Sequence, residues 1–271
     1  MNFLLRTPKI FDDDEVIQKY VKAGKARLLK GDGLVKQDLQ LAWEEAGKER
    51  PVDVLFFSVG KNQTFTWDAS LISLLYIGGI PKFDMSKGFL ISPANLVTQC
   101  LLNTLCTMPE QYRGPSSQLR FAVVTSGGIT ASSHAALPLL MKPVFMMLKQ
   151  PHKDKIGAER VIHHVAGWPF DVKDFGEPGE DIMGPNWMGR EGLPEAGSFN
   201  NFLVVRPALL TDGECVADKE ETKKKNKTPY KVSEKELGSY TVSRKDTAHF
   251  IADAVVSNWS QYGKKIVNVG Y

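Results

Sequence analysis

Five times along the chain a short apolar run stops at residues suited to holding a ligand. Arg6-Thr7 follow Phe3-Leu4-Leu5, Asp32-Gly33 follow the run around Leu28-Leu29, and Ser58-Val59-Gly60 follow Val52 to Phe57. Thr125-Ser126-Gly127-Gly128 follow Leu119 to Val124, and Pro207-Ala208-Leu209 follow Phe202 to Arg206. Open, mostly parallel α/β sheets bind ligands at the carboxyl ends of their strands, and glycine there lets a ligand come close to the backbone. Ligand binding across several strand tips is therefore the first expectation.

Other reactive residues are read as structural. His163 and His164 are adjacent, and neighbouring helix positions do not share a face, so a two-histidine metal site is not expected. Cys100, Cys106 and Cys215 give an odd count without Cys-x-x-Cys spacing, which predicts neither a disulfide framework nor zinc. The acids from Asp12 to Glu15 suit the start of a helix, where they complement its dipole. Lys223, Lys224, Lys225 and Lys227 read as a solvated loop. Met141, Met146 and Met147 suit a core or a soft cover over a planar ligand, and His249 is read as structural.

The elements that must position the strand tips follow from periodicity. Strands are predicted at Phe3–Leu5, Ala26–Lys30, Val52–Phe57, Leu119–Val124, Phe202–Pro207, Ser239–Val242 and Lys265–Val269. Helices are predicted after Asp12, through Leu39 to Trp43, and over Leu90–Cys106, Ala135–Leu148, Asp154–Val165 and Arg244–Trp259. The nearly continuous apolar run from Val52 to Phe57 predicts a strand covered on both faces. Alternating strands and helices imply an α/β fold, doubly wound, with a mostly parallel sheet and helices on both faces. One domain over 1–271 is expected, with surface insertions near 167–200 and 213–237.

Composition narrows the class. The 34 Lys and Arg against 31 Asp and Glu leave a scattered net charge of +3, which argues against a nucleic-acid partner. The apolar stretch from Ala135 to Leu148 is broken by Pro138, Lys142 and Pro143 and is shorter than the ~20 residues a bilayer span needs, so no membrane role is expected. Without a secretory pattern at Met1–Arg6, a cytoplasmic protein is expected.

Taken in order, the strand tips resemble those of the atypical short-chain dehydrogenase/reductase group, specifically the NAD(P)H-binding, NmrA-like proteins that include flavin and biliverdin-IXβ reductases. Leu4-Leu5-Arg6, Gly31-Asp32, Val52 to Gly60 and Val123 to Ser126 resemble that group's second to fifth strand ends. Lys155-Ile156-Gly157-Ala158-Glu159 resembles its Lys-x-x-x-Glu helix, Val205-Arg206-Pro207-Ala208 its sixth strand, and Tyr240 to Phe250 the segment before its last helix. The resemblance implies a Rossmann-like fold with the first strand and its Gly-x-x-Gly-x-x-Gly turn missing. The tyrosine of the group's Tyr-x-x-x-Lys falls at Pro151, and His152 is the nearest proton donor. With the opening strand absent, either its two flanking strands pair directly or the chain is a truncated product that folds poorly.

The resemblance also implies roles. Arg6, with Thr7, would meet an adenosine 2′-phosphate, favouring NADP(H) over NAD(H), or is a surface arginine. Asp32 and Gly33 would lie beside the adenine or cap a helix, and Ser58, Val59 and Gly60 would run along the ribose and phosphates or form a plain turn. Thr125, Ser126, Lys155 and Pro207 complete the cofactor set. Lys155 would orient the nicotinamide ribose, with Ser126 or His152 donating a proton, or else is a surface helix lysine. The expected function is NADPH-dependent reduction of a small conjugated or planar acceptor; a non-catalytic dinucleotide sensor or a truncated inactive homologue are the alternatives. A protein partner is left open.

Overall fold

The computed structural model describes residues 1–59, 82–84, 88–114, 116–224 and 228–271. Its strands are β1 (Asn2–Leu5), β2 (Arg27–Lys30), β3 (Val54–Phe57), β4 (Lys82–Asp84), β5 (Gly88–Leu90), β6 (Arg120–Val124), β7 (Phe202–Pro207), β8 (Leu209–Thr211), β9 (Lys231–Ser233), β10 (Thr241–Ser243) and β11 (Lys265–Gly270). Its helices are α1 (Glu15–Lys22), α2 (Lys36–Gly47), α3 (Leu96–Cys106), α4 (Ala131–Ala136), α5 (Lys142–Met146), α6 (Lys149–Ala166), α7 (Val172–Phe175), α8 (Glu180–Met183), α9 (Glu220–Lys224), α10 (Arg244–Val256) and α11 (Trp259–Tyr262).

The central sheet runs β3-β6-β7-β11-β9, parallel except for β9. Alternation along its middle strands sorts two cores. Phe121, Val123, Phe202 and Val204 face the layer of α3 and α6, where Leu101, Leu105, Val161 and Ile162 are fully buried. Ala122, Leu203, Val205, Val267 and Val269 face α10 through Phe250, Ile251 and Ala254. Each fully buried large side chain contributes about 1.5–3 kcal/mol, so both faces of the sheet are held by hydrophobic burial. The fold is Rossmann-like: an α/β domain with a mostly parallel sheet wound on both faces.

β1 and β2 form a parallel pair of their own, with Phe3 in register with Leu28. Among the described residues β3 pairs only with β6, so direct pairing of β1 with β3 is not found. One tie between the two sheets is α2. Arg27 of β2 bonds Glu45 of α2 at 3.2 Å, while Trp43 on the opposite side of that helix stacks on Tyr112 of the main core. Nor is β3 covered on both faces: Val54 is 36% and Phe56 52% exposed.

Helix boundaries shift where proline acts. Pro138 and Pro143 split the predicted helix over Ala135–Leu148 into α4, a 3-10 turn and α5. Pro151 instead sits in the first turn of α6, where its missing N–H costs no helical bond, and the helix starts at Lys149, ahead of Asp154. Gly167 ends it in the left-handed region (φ +69°). The stretch from 167 to 200 goes deeper than a surface insertion, because Ile182, Met183, Trp187 and Phe199 join the core against α3 and α6. Part of the stretch 213–237, residues 225–227 of the lysine run, lies outside the described residues.

α6 locks onto α3. The side chain of Asn95 makes no capping bond to α3, and the carboxylate of Asp154 substitutes, accepting from the N–H groups of Val97 at 2.7 Å and Thr98 at 2.8 Å. One turn on, a Cβ at Gly157 would lie 2.5 Å from both Ile182 Cγ2 and Thr98 Oγ1. Gly157→Ala is therefore expected to lower stability by about 1–3 kcal/mol despite alanine's better helix propensity. Gly47→Ala, where a Cβ meets nothing within 4 Å, should cost nothing. Urea unfolding of both variants checks this, and equal midpoints would contradict the tight crossing.

Candidate functional site

The tips of β6 and β7 are laced together past the sheet proper. Thr125 N–H donates to Val205 O at 2.9 Å and Gly127 N–H to Pro207 O at 2.8 Å. A Cβ at Gly127 would come within 3.3 Å of that same carbonyl, so glycine suits the close approach. Beneath the tips, Glu159 of α6 is fully buried and meets Arg206 of β7 through two contacts, Nε to Oε1 at 3.0 Å and Nη2 to Oε2 at 2.5 Å. Thr125 Oγ1 donates to Glu159 Oε1 at 2.7 Å. Burial opposes the charge on Arg206, but Glu159 outweighs it and holds the guanidinium above its ordinary pKa.

Lys155 precedes Glu159 by four residues, so both project from one face of α6. Its Nζ donates to Thr125 O at 2.8 Å, and the side chain is partly buried. Burial pulls its pKa down to about 8, with Asp154 and Glu159 opposing. Ser126 is half-buried and its Oγ donates to Gly127 O at 3.0 Å. His152 is only 8% exposed, its ring centroid 5.4 Å from that of Phe145, and its Nε2 is buried without a partner. Burial first, then Lys155 and His134, push its pKa to about 3, so it stays neutral at physiological pH. Pro207 is buried at the end of β7.

The tip of β2 packs against α3. Arg6 and Thr7 are exposed beyond β1. Asp32 forms an Asx turn, its Oδ1 accepting from Leu34 N–H at 2.9 Å, and Gly33 O accepts from Asn103 Nδ2 at 3.2 Å. A Cβ at Gly33 would lie 2.9 Å from Cys100 Sγ. The Cys100 thiol is pushed up to about 12 by burial and by Asp32 and Asp154, with Arg6 opposing; Gly31 N–H donates to Leu5 O at 2.9 Å, which sets the tips of β1 and β2 side by side. Phe57 is in register with Val123, so exposed Ser58 and half-buried Val59 continue β3 beside the tip of β6. Gly60 lies outside the described residues.

Thus Arg6, Asp32 and Gly33 form one group, and Thr125, Ser126, Lys155 and Pro207 another. Adjacent residues Asp154 and Lys155 of α6 join them, one bonded to α3 and the other to β6. Beyond the second group lies a shallow recess, with room for little more than a water molecule, bounded by Gly127, Gly128, Leu137, Phe145, Arg206 and Glu236. Glu236 escaped sequence reasoning: it reaches Arg206 at 3.5 Å from a loop 30 residues away, and no local pattern marks it. Glu159 carried a signal, its four-residue spacing from Lys155. Among the described residues no cluster of His, Cys, Asp or Glu could hold a metal ion, and no helix is long and apolar enough to cross a membrane.

These features define a Rossmann-like α/β domain with polar groups gathered at its strand tips. No family model matches the chain. It is 30% identical over 172 residues to the reductase pytE of Aspergillus terreus, an alignment covering 62% of this chain and 55% of that protein, so the chain matches about half the length of this relative. Among solved structures it is similar to ChuY, an anaerobilin reductase of Escherichia coli O157:H7, with 13% identity, a TM-score of 0.49 and coverage of 99% of this chain and 83% of that one. It is also similar to a wide-type short-chain dehydrogenase/reductase of Veillonella parvula in complex with NADP, with 10% identity, a TM-score of 0.46 and coverage of 98% and 76%.

Removing one partner of a buried ion pair leaves the other charge uncompensated, at a cost of about 3–5 kcal/mol. Glu159→Ala is expected to lose that much in urea unfolding. A loss below about 1 kcal/mol would show that Arg206 finds another partner and that the pair does not hold the tips.

Proposed function

We propose that this chain is an NAD(P)H-binding reductase domain that delivers hydride to a small conjugated or planar acceptor. The carrying observation is Lys155, a partly buried cation with a pKa near 8, held against the Thr125 carbonyl where β6 and β7 end. The 30% match to a reductase supports the same class. The residues present fit a dinucleotide: Lys155 offers a cation at the β6 tip, and Arg6 an exposed planar donor fork beyond β1.

The nicotinamide, when bound, supplies the hydride from C4. Arg6 and Thr7 would contact the adenosine 2′-phosphate, which favours NADP(H) over NAD(H), and Asp32 and Gly33 would flank the adenine. Ser58, Val59 and Gly60 would line the ribose and phosphates. Thr125 and Pro207 would border the nicotinamide end. Lys155 would hold the ribose and, with a pKa close to neutrality, keep a proton ready for the reduced acceptor. Ser126 would hydrogen-bond the acceptor. His152, neutral and packed on Phe145, is a poor proton donor, so the donor role falls to Lys155 and Ser126. That same burial of His152 favours a second reading, a dinucleotide sensor without turnover.

The lysine cation is present below about pH 8 and lost above it, whereas an ordinary lysine keeps its charge to about 10.4. NADPH affinity is therefore expected to fall roughly tenfold between pH 7 and about 9.5, and Lys155→Met should be weak at both. Fluorescence titration of NADPH measures this. No binding at millimolar NADPH, or a flat profile in the parent protein, would sink the proposal. Binding without reduction of any quinone or flavin would favour the sensor.

A further inference from the structure

An aromatic side chain of the protein itself lies on the β6 tip. Gly128 is in the left-handed region (φ +73°), and a Cβ there would overlap the Phe145 ring, with Leu137 Cδ1 next at 3.4 Å. Phe145 is 4% exposed, and its ring centroid is 5.4 Å from that of His152. It forms one wall of the recess and leaves room there for little more than a water molecule. The tip therefore already holds a flat six-membered ring, seated on backbone without a side chain to obstruct it.

The segment that carries this ring is weakly tied. Pro138 and Pro143 break it into a 3-10 turn and the five-residue α5. Among the described residues no hydrogen bond or ion pair joins residues 138–146 to another element, whereas both flanks are fixed. Before it, Ser132 donates to Asp174 through its N–H at 2.6 Å and its Oγ at 2.7 Å; after it, Phe89 N–H donates to Met147 O at 2.9 Å. Leu139 and Leu140 are each 80% and Met146 62% exposed, which leaves Phe145 as the one fully buried residue of the segment. A stretch with a single buried anchor and no outside hydrogen bond opens at low cost. Closure carries a cost of its own. His152 Nε2, on the ring packed against Phe145, is buried without a partner among the described residues, and withdrawal of Phe145 lets water reach it.

We propose that Phe145 occupies the ring subsite of the cofactor and keeps the nicotinamide end of the cleft closed until the nicotinamide displaces it. Naming the displacing ring as nicotinamide rests on the NAD(P)H-binding reading. Arg6 and Thr7, at the adenosine end, are exposed in this same state, so the nucleotide docks there first and opens the segment second. Affinity for the whole cofactor is then reduced by the fraction of molecules whose ring is in place.

Two probes separate the two ends: NADPH carries the ring, and adenosine 2′,5′-bisphosphate does not. In calorimetric titration Phe145→Ala is expected to bind NADPH about tenfold more tightly than the parent protein, because the closed state no longer competes, and to bind the bisphosphate within about twofold of it. Since Phe145→Ala also removes a buried ring and lowers stability, a second measurement keeps the ring: 4-fluorophenylalanine is placed at position 145 alone and followed by fluorine NMR. Saturating NADPH should move its resonance toward that of a solvent-exposed ring, and the bisphosphate should leave it in place. Unchanged or weaker NADPH binding by Phe145→Ala, an equal gain for both probes, or a resonance that NADPH does not move would each overturn the plug, and NADPH binding by the parent protein would leave the reductase reading standing. No NADPH binding by either protein would remove both.

Discussion

The buried pairing of Glu159 with Arg206 is the contact on which the arrangement of the site depends. It joins α6 to β7, and the Thr125 hydroxyl brings β6 to the same carboxylate. Removing two charges from water is expensive, and such pairs add little net stability over apolar replacements. Their value lies in geometry. With Glu159 fixed, Lys155 one turn earlier projects toward the β6 tip, where the Thr125 carbonyl receives it. Arg206 is drawn onto Glu159 and Glu236 together.

α6 therefore does more than cover the sheet. Asp154 supplies the missing cap of α3, and α3 in turn receives the Asp32-Gly33 turn through Asn103. A displacement of α6 would move both groups of strand-tip residues together. Close packing at Gly157 makes that displacement costly, since Thr98 and Ile182 leave no room for sliding. Within six residues, 154–159, one helix holds a cap, a cation, a small-residue crossing and a buried acid.

Much of this frame was legible because it is local. The runs Leu119–Val124, Phe202–Pro207 and Lys265–Val269 are short and rich in β-branched and aromatic residues, as strands are, and β6, β7 and β11 lie within a residue or two of them. The spacing of Lys155 and Glu159 likewise marked one helix face. What could not be read joins residues far apart in sequence. Asp154 meets residues 56 and 57 positions away, and Glu236 meets Arg206 across 30. Val54 and Phe56 misled because an apolar run reports a preference for burial and cannot report whether a neighbouring layer exists; among the described residues none covers them fully. His152 was chosen by its place beside Pro151, and position in sequence says nothing of burial.

The central claim is that Lys155, held by the Thr125 carbonyl and braced by Glu159 and Arg206, marks the nicotinamide end of a dinucleotide cleft. A crystal structure with NADPH tests it most directly. The account predicts the nicotinamide ribose within hydrogen-bond distance of Lys155 Nζ, its ring beside Thr125 to Gly127, and the 2′-phosphate at Arg6. A nucleotide lodged elsewhere, with Lys155 still bonded only to Thr125, would contradict it.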